Sequence, residues 1–600
     1  MIKVSDYIFK FMEEKGIKHA FMLPGGGAMH ILDSLGKSNI EYICCGHEQA
    51  ASIAAESYGQ YTNDIGLLVV TSGPGSTNAI TGVTAGWIDS TPMFILSGQA
   101  KTSDLIGNSG VRQMGSQEVQ IIEMVKPITK YAVQVTNANE IRYHLEKAYY
   151  EAINGRMGPV WLDIPLDIQG TIVDENSLDR FENIYENDCK DKIIDDINST
   201  VELLKTSKQP LILAGNGVKL ANAEEEFLKL IDKFQIPVLT TWKSIDLMDE
   251  NHPLYVGHPG IMGDRGANYI LQSCDLLIIL GSRLDPSITA FNHTNFGKNA
   301  KKIMVDIDCN EINKMQMDID VKSICNVKDF IKLLNDFYDQ NKGEFKTDET
   351  NEWIMYCKKI RKKYPVVTKE HREEKDYVSA YCFIDELCKQ LNNDDIIVPE
   401  SSGGAGEITY QAFRIKKGQK MKNAAGLGSM GFGLPYSIGA CIANDNKRTI
   451  LINGDGAFQL NIQELETIVR LQLPIKIFIW NNNGYASIRS MQRNLFNGNY
   501  VGSDEQSGLT MPDLIEIAKA YKLETYTAKN NNEMEEILPK VLNSKGPVLC
   551  ELMVLPEETV SPRVMSIKKD DGSIESKPLE DMWPFLNEDE VKNNLKLNNL

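Results

Sequence analysis

The sequence predicts an α/β fold: three doubly wound parallel-sheet blocks followed by a C-terminal tail. Short, almost wholly apolar runs recur along it, among them Leu67-Leu68-Val69-Val70, Leu276 to Leu280 and Ile475 to Trp480. Strands buried on both faces of a parallel sheet read this way, whereas strands with one wet face alternate. Stretches of helical period separate the runs, the rhythm of βαβ units. Glycine turns follow several of them, as in Gly73-Pro74-Gly75, Gly215-Asn216-Gly217 and Gly454-Asp455-Gly456.

In chain order, the first block (1–172) has strands at Phe21 to Leu23, Glu41 to Cys44, Leu67 to Val70, Met93 to Leu96 and Val160 to Ile164. Acidic, Asn-rich sequence from Val173 to Thr200 shows no strong apolar period and reads as a linker. The second block (190–340) places strands at Pro210 to Ala214, Ile236 to Thr240, Leu276 to Leu280 and Lys302 to Asp306. Polar sequence from Asn341 to Lys375 again reads as a linker, with helical pattern at Trp353 to Lys363. The third block (376–555) holds the Gly454 turn, and the tail (556–600), with Pro562, Pro578, Pro584 and the run Lys568 to Gly572, cannot build a core of its own. Blocks one and three rhyme, each with an apolar strand running into a glycine turn. Two paired half-sites and two unrelated doubly wound sheets both explain that rhyme.

Six hundred residues, 42% hydrophobic and 24% charged, suit a soluble globular chain of several domains. A net charge of -19 argues against a nucleic-acid partner or an anionic membrane surface, because both need a positive field. No apolar run reaches the ~18 residues of a membrane span and Met1 to Asp6 lacks a signal-peptide core, so a cytoplasmic location is expected. Eleven cysteines without a C-x-x-C fit neither a disulfide framework nor a zinc site.

The spacing of two motifs in block three carries the chemistry. Gly454-Asp455-Gly456 ends one strand, and 24 residues later Asn481-Asn482 ends the next. Neighbouring strands of a βαβ unit finish on one sheet edge, so Asp455 and Asn482 converge there as hard oxygen donors of the kind Mg²⁺ takes. The intervening Asn461 to Gln472 reads as a helix, with Asn461 and Glu464 spaced as a capping box.

This pair of motifs resembles the signature of thiamine-diphosphate (ThDP) enzymes. The resemblance implies a pyrimidine-binding first domain, a central Rossmann-like domain and a diphosphate-binding third domain. It makes Asp455, Asn482 and the Gly484 carbonyl the Mg²⁺ ligands, with Gly454, Gly456, Ala457 and Tyr485 beside the diphosphate. Glu48, in Gly46-His47-Glu48-Gln49 at the start of a helix, matches the glutamate that hydrogen-bonds the aminopyrimidine and activates the cofactor, a catalytic role. In Gly426 to Pro435, the Gly428 carbonyl matches the acceptor for the 4'-amino group and Met430 the wedge that bends the cofactor. Pro24, Gly25, Gly26, Ser72 and Asn78 stand in segments that match the rest of the cofactor site.

Within that family the chain is similar to the acetolactate (acetohydroxyacid) synthase group, in the pyruvate-oxidase-like branch. The likeness includes Leu23 to Gly26, Thr71 to Asn78, Asn108 to Glu118, Thr129-Lys130-Tyr131 and Gly281-Ser282-Arg283. It implies a transferase or lyase that decarboxylates a 2-oxo acid, expected to be pyruvate, and passes the acyl carbanion to an acceptor carbonyl, with Gln117 and Lys130 as polar catalytic contacts. Decarboxylation or oxidation without carboligation stays open. Ser116, Ser287 and Met491 stand where synthases carry an aromatic residue, an arginine and a tryptophan, so a bulkier acceptor without a carboxylate, such as a keto sugar or an aldehyde, is a further alternative. In the central block Gly215, Gly217, Gly281, Arg283 and Asp306 match an FAD or ADP-type cleft, with a vestigial, empty fold as the alternative. The group's shared active sites imply a homodimer at least, and a homotetramer by the same likeness.

Overall fold

The structure, a computed structural model, describes residues 1–182, 190–341, 348–568 and 571–595. Three parallel sheets organise them. The N-terminal sheet has six strands, ordered Glu41–Cys44, His19–Met22, Gly66–Val70, Met93–Gln99, Pro159–Pro165 and Tyr131–Gln134. The central sheet has five: Val238–Thr240, Pro210–Ala214, Leu276–Leu280, Lys301–Asp306 and Val321–Ile324. The C-terminal sheet has six again: Lys420–Met421, Ile396–Pro399, Thr449–Gly454, Ile475–Asn481, Val548–Met553 and Glu524–Ala528.

The two six-stranded sheets share one strand order, 2-1-3-4-6-5 by position in the chain. Each therefore reverses direction between its first and third strands, and the crevice at such a reversal is where doubly wound sheets bind ligands. Leu23 to Gly27 and Thr71 to Gly73 leave the N-terminal reversal, while Glu400-Ser401 and Asp455 leave the C-terminal one. The rhyme between blocks one and three is thus a shared topology.

Burial explains which strands are continuous in the sequence. Every residue of Gly66–Val70, Leu276–Leu280 and Pro159–Pro165 is buried. Lys476, in the otherwise apolar Ile475–Asn481 strand, is buried too, and its ammonium donates to the carbonyls of Ser544 (2.6 Å) and Gly546 (2.7 Å). One apolar cluster joins the outer blocks: Ala50, Ala54 and Tyr58 of helix Glu48–Thr62 pack with Leu434, Ile438 and Cys441 of helix Gly433–Ala443.

Two expectations are corrected, and the helical reading of Trp353 to Lys363 is extended. The stretch read as a linker from Val173 contains helix Lys190–Thr206, whose Ile193, Ile197, Val201 and Leu204 are buried at helical spacing among acidic neighbours that mask the period; part of that stretch lies outside the described residues. Within the second polar stretch, helix Asp348–Lys363 buries Trp353 completely, its indole N–H donating to the Pro210 carbonyl at 2.8 Å. The capping box at Asn461 does not form: helix Glu464–Arg470 starts three residues later, Asn461 Nδ2 donates instead to the Gly431 carbonyl (2.8 Å), and Glu464 Oε1 accepts the Gly46 N–H (2.9 Å). Tertiary partners outcompete the local cap.

The tail docks on the central block. Asn268, Gln272 and Arg265 of helix Arg265–Ser273 bond to Leu579 O (3.1 Å), Glu580 Oε2 (2.7 Å) and Pro584 O (2.7 Å). Leu579 is buried in the central core, and Val564, Leu586 and Val591 pack against it. Of the run Lys568 to Gly572, Lys569 and Asp570 lie outside the described residues. No helix among the described residues is long and apolar enough to cross a membrane.

Candidate functional site

Strands Thr449–Gly454 and Ile475–Asn481 pair in parallel with Gly454 opposite Trp480, so their ends emerge side by side. Asp455 follows the first strand and is 1% exposed. Its carboxylate accepts the N–H of Gly456 at 2.8 Å through Oδ1 and that of Gly484 at 2.9 Å through Oδ2. Burial pushes this carboxyl up to about 6, against the pull of those backbone donors. Asn482 Oδ1 is buried with no hydrogen-bond partner among the described residues. Gly484 has φ +120°, and a Cβ there would stand 2.8 Å from the Ser503 carbonyl oxygen, so glycine is required on both counts. The Tyr485 ring covers Gly456, whereas a Cβ on Gly454 would meet nothing within 4 Å: the turn is closed on one side and open on the other. Ala457 is buried behind it.

Arg489 holds this loop and was not legible as a site residue. It is 7% exposed, and its guanidinium donates to the carbonyls of Asn482 (2.7 Å), Asn483 (3.0 Å) and Ser503 (3.0 Å). An arginine on a polar helix reads as solvated surface, so the sequence carried no signal for it. Glu400 was missed for the opposite reason, as one carboxylate after a strand. It is fully buried, accepts the N–H groups of Ser401 (2.8 Å) and Gly433 (3.0 Å), and is pushed up to about 7 by burial. It thereby fixes the far end of the loop holding Gly428 and Met430. Met430 is 38% exposed, and Gly428, at φ +63°, has no atom closer than 3.6 Å to a would-be Cβ.

The N-terminal half-site gathers Glu48, Asn78, Ser72 and the Pro24 turn. Glu48 opens helix Glu48–Thr62, is 8% exposed, and accepts from Asn78 Nδ2 of helix Pro74–Asp89 at 3.0 Å. Gly25 lies against the Thr71 side chain, and the Gly27 N–H donates to Thr71 Oγ1 at 3.0 Å, which ties the Pro24 turn to the Thr71-Ser72 strand end. Pro24 and Gly26 are exposed, and Ser72 is buried. Gln117, at φ +57°, lays its carbonyl on Gly73 and faces solvent. Glu118 next to it accepts Met114 N (3.1 Å) and Gly115 N (2.8 Å) and so shapes the exposed loop. Lys130 is not brought to this cluster: its ammonium donates to the carbonyls of Glu151 and Asn154 (2.6 Å) and caps the end of helix Ile141–Ile153. Among the described residues no hydrogen bond joins Glu48 or Asn78 to Asp455, Asn482 or Gly428.

In the central block Gly217, Gly281, Arg283 and Asp306 line one cavity of about 1230 Å³, which Asp89 and Arg156 of the first block and Ser401 and Gly428 of the third also line. Gly217 and Gly281 face one another across 2.6 Å of would-be Cβ contact, and Gly215 packs on Gly281 and Ser282. These glycines serve close approach between strand ends before they serve a ligand. Of the three departure positions only Ser287 lines this cavity, where its hydroxyl donates to Asp285; Ser116 and Met491 are exposed.

The donors fit a hard divalent cation. A carboxylate, an amide oxygen with no partner among the described residues and the Gly484 carbonyl at a glycine-opened turn are the hard oxygen donors that Mg²⁺ takes.

Comparisons agree with this geometry. Family models described as the N-terminal TPP binding, central and C-terminal TPP binding domains of thiamine pyrophosphate enzymes match residues 2–124, 197–334 and 402–552. The chain is similar to the probable acetolactate synthase large subunit of Methanococcus aeolicus, 32% identical over 93% of each chain. It is 29% identical to the acetolactate synthase isozyme 2 large subunit of Escherichia coli, over 93% of this chain and 97% of that one. The Corynebacterium glutamicum acetolactate synthase large subunit is 31% identical over 93% of this chain and 87% of its own.

Proposed function

Because the chain belongs to the thiamine pyrophosphate enzyme family, on its acetolactate synthase side, we propose that Asp455, Asn482 and the Gly484 carbonyl hold the Mg²⁺ that carries the ThDP diphosphate. The protein is a ThDP- and Mg²⁺-dependent carboligase of the acetolactate synthase type, acting on small molecules, a 2-oxo acid donor and a carbonyl acceptor. The orphaned, buried Oδ1 of Asn482 beside a carboxylate bound to the Gly484 N–H supports the ligand assignment most directly.

When bound, ThDP supplies a thiazolium carbon that takes up the acyl group and releases it as a carbanion equivalent. The chain's own residues position and shield it. Gly454 leaves room for phosphate oxygens, while Tyr485 over Gly456 and buried Ala457 close the turn behind them. Gly428 offers its carbonyl and Met430 a half-exposed side chain to the ring system. Glu48, oriented by Asn78, holds a proton at its carboxyl oxygen for the pyrimidine nitrogen, with Pro24, Gly25, Gly26 and Ser72 as the adjoining wall. Gln117, exposed on the loop that meets Gly73, is the proposed polar contact for substrate. Lys130 receives no substrate role, since two helix-end carbonyls occupy it.

By likeness to the family, the Glu48 set of one copy is proposed to meet the Asp455 set of another, hence a homodimer or larger assembly, and a cytoplasmic location is proposed with it. The cavity above Gly217, Gly281 and Arg283 is proposed as the FAD or ADP-type cleft, and a visible flavin band in purified protein separates the two. Ser287, where synthases carry an arginine, lacks the guanidinium that would hold an acceptor carboxylate, which supports the alternative of an acceptor without one. A screen of pyruvate with 2-oxo acid, aldehyde and keto-sugar acceptors, with and without ThDP and Mg²⁺, tests the reading by mass spectrometry. A cofactor-dependent carbon–carbon product supports it; CO2 release with only an aldehyde or acid product sinks carboligation.

A further inference from the structure

A second cavity, of about 600 Å³, lies on the seam between the central block, helix Asp348–Lys363 and the Gln411 to Arg414 segment of the C-terminal block. None of the residues assigned to ThDP or Mg²⁺ lines it. The Gly257-His258-Pro259-Gly260 turn divides here, with Pro259 and Gly260 on the large cleft and His258 on the seam cavity.

His258 is 3% exposed, and neither ring nitrogen has a hydrogen-bond partner among the described residues. The nearest charge is Asp264, 3.6 Å from Nε2, too far for a hydrogen bond. A buried imidazole left unpaired on both sides is a cost that the fold itself does not explain. At the cavity mouth stand Lys358 and Lys362, both exposed and, among the described residues, without an ion-pair partner. The neighbouring Arg361 is already bound to Glu250 at 2.6 Å, and Asp264, the other carboxylate on the cavity wall, stands against the His258 ring rather than the lysines. Two ammonium groups four residues apart on a helix are surface neighbours that repel. Some of this charge complements the helix C-terminus. The unpaired histidine beneath it needs a separate cause, and an anion seated between the lysines supplies both a counter-charge for them and an acceptor for the ring.

We propose that the seam cavity binds a small dianion of the phosphate type, gripped at the mouth by Lys358 and Lys362 and met below by the imidazole of His258. Its walls come from two blocks, so occupation ties the central and C-terminal domains together. The site stands independently of the ThDP reading.

The test uses holoenzyme saturated with ThDP and Mg²⁺, so that the Asp455 turn is filled, titrated calorimetrically with inorganic phosphate. The unaltered protein is expected to bind one phosphate per chain. The double variant K358E/K362E, confined to exposed side chains, should bind about a hundredfold more weakly, through the loss of two charge-assisted contacts. His258→Asn should weaken binding about tenfold. Should that variant misfold, the lysine pair still decides. No saturable binding by the unaltered protein, or equal affinity in K358E/K362E, would overturn the proposal.

Discussion

The carboxylate of Asp455 and the main-chain N–H of Gly484 meet at 2.9 Å, although a helix and a whole strand separate them in sequence. That bond locks the end of one strand to the loop beyond its neighbour, and Arg489 holds the same loop from outside through three carbonyls. Arg489→Ala should therefore loosen the loop without removing a ligand. Mg²⁺-dependent ThDP affinity is expected to fall about tenfold, as when outer supports of a metal site are lost, and kcat should recover at excess cofactor. Titration of activity against ThDP measures both.

Glu48→Gln keeps the hydrogen bond with Asn78 but removes the acid. Turnover should drop by about 10² to 10⁴, the usual range for a lost proton-transfer group, while ThDP affinity changes only a few-fold. Steady-state kinetics beside calorimetric binding separates the two quantities.

If the site is shared between copies, Glu48→Gln and Asp455→Asn damage different halves of it. Mixing the two inactive proteins under subunit exchange should then restore about a quarter of native activity, since half the dimers carry one intact site of two. No recovery despite demonstrated exchange would place both halves in one chain.

Glu56 gives a pH signature. It is fully buried: Thr91 and Gln60 donate to Oε1, Oε2 has no partner among the described residues, and burial raises it from 4.5 to about 7. The folded state thus holds this proton more tightly than the unfolded chain. The associated stability is fully present below pH 4.5 and is lost as pH rises to about 7, an effect on the order of 3 kcal/mol. Glu56→Gln should remove it, so the stability difference between native and variant protein should change over that window and be flat above it, as read by denaturant unfolding at a series of pH values.

Much of the architecture was readable because buried parallel strands leave an unbroken apolar run. Pro210–Ala214 and Leu276–Leu280 fall where the sequence placed them, and the Glu41–Cys44 strand was legible from its place before Gly46-His47-Glu48. Strands without that run were missed: Tyr131–Gln134 and Glu524–Ala528 are edge strands, half-exposed along much of their length. The convergence of Asp455 with Asn482 was expected from βαβ geometry and Gly484 from the family likeness, whereas Arg489 and Glu400 act through main-chain partners that no spacing reveals. Lys130, suggested by likeness, has its ammonium on two carbonyls at a helix end, a partnership that spacing does not reveal either.

The most direct measurement is calorimetric binding of ThDP, with and without Mg²⁺, to the unaltered protein and to Asp455→Asn. One cofactor per chain, bound only with Mg²⁺ and about a hundredfold more weakly by the variant, is the expected result. Equal affinity in the variant, or binding indifferent to Mg²⁺, would contradict the assignment of Asp455, Asn482 and Gly484 to the metal.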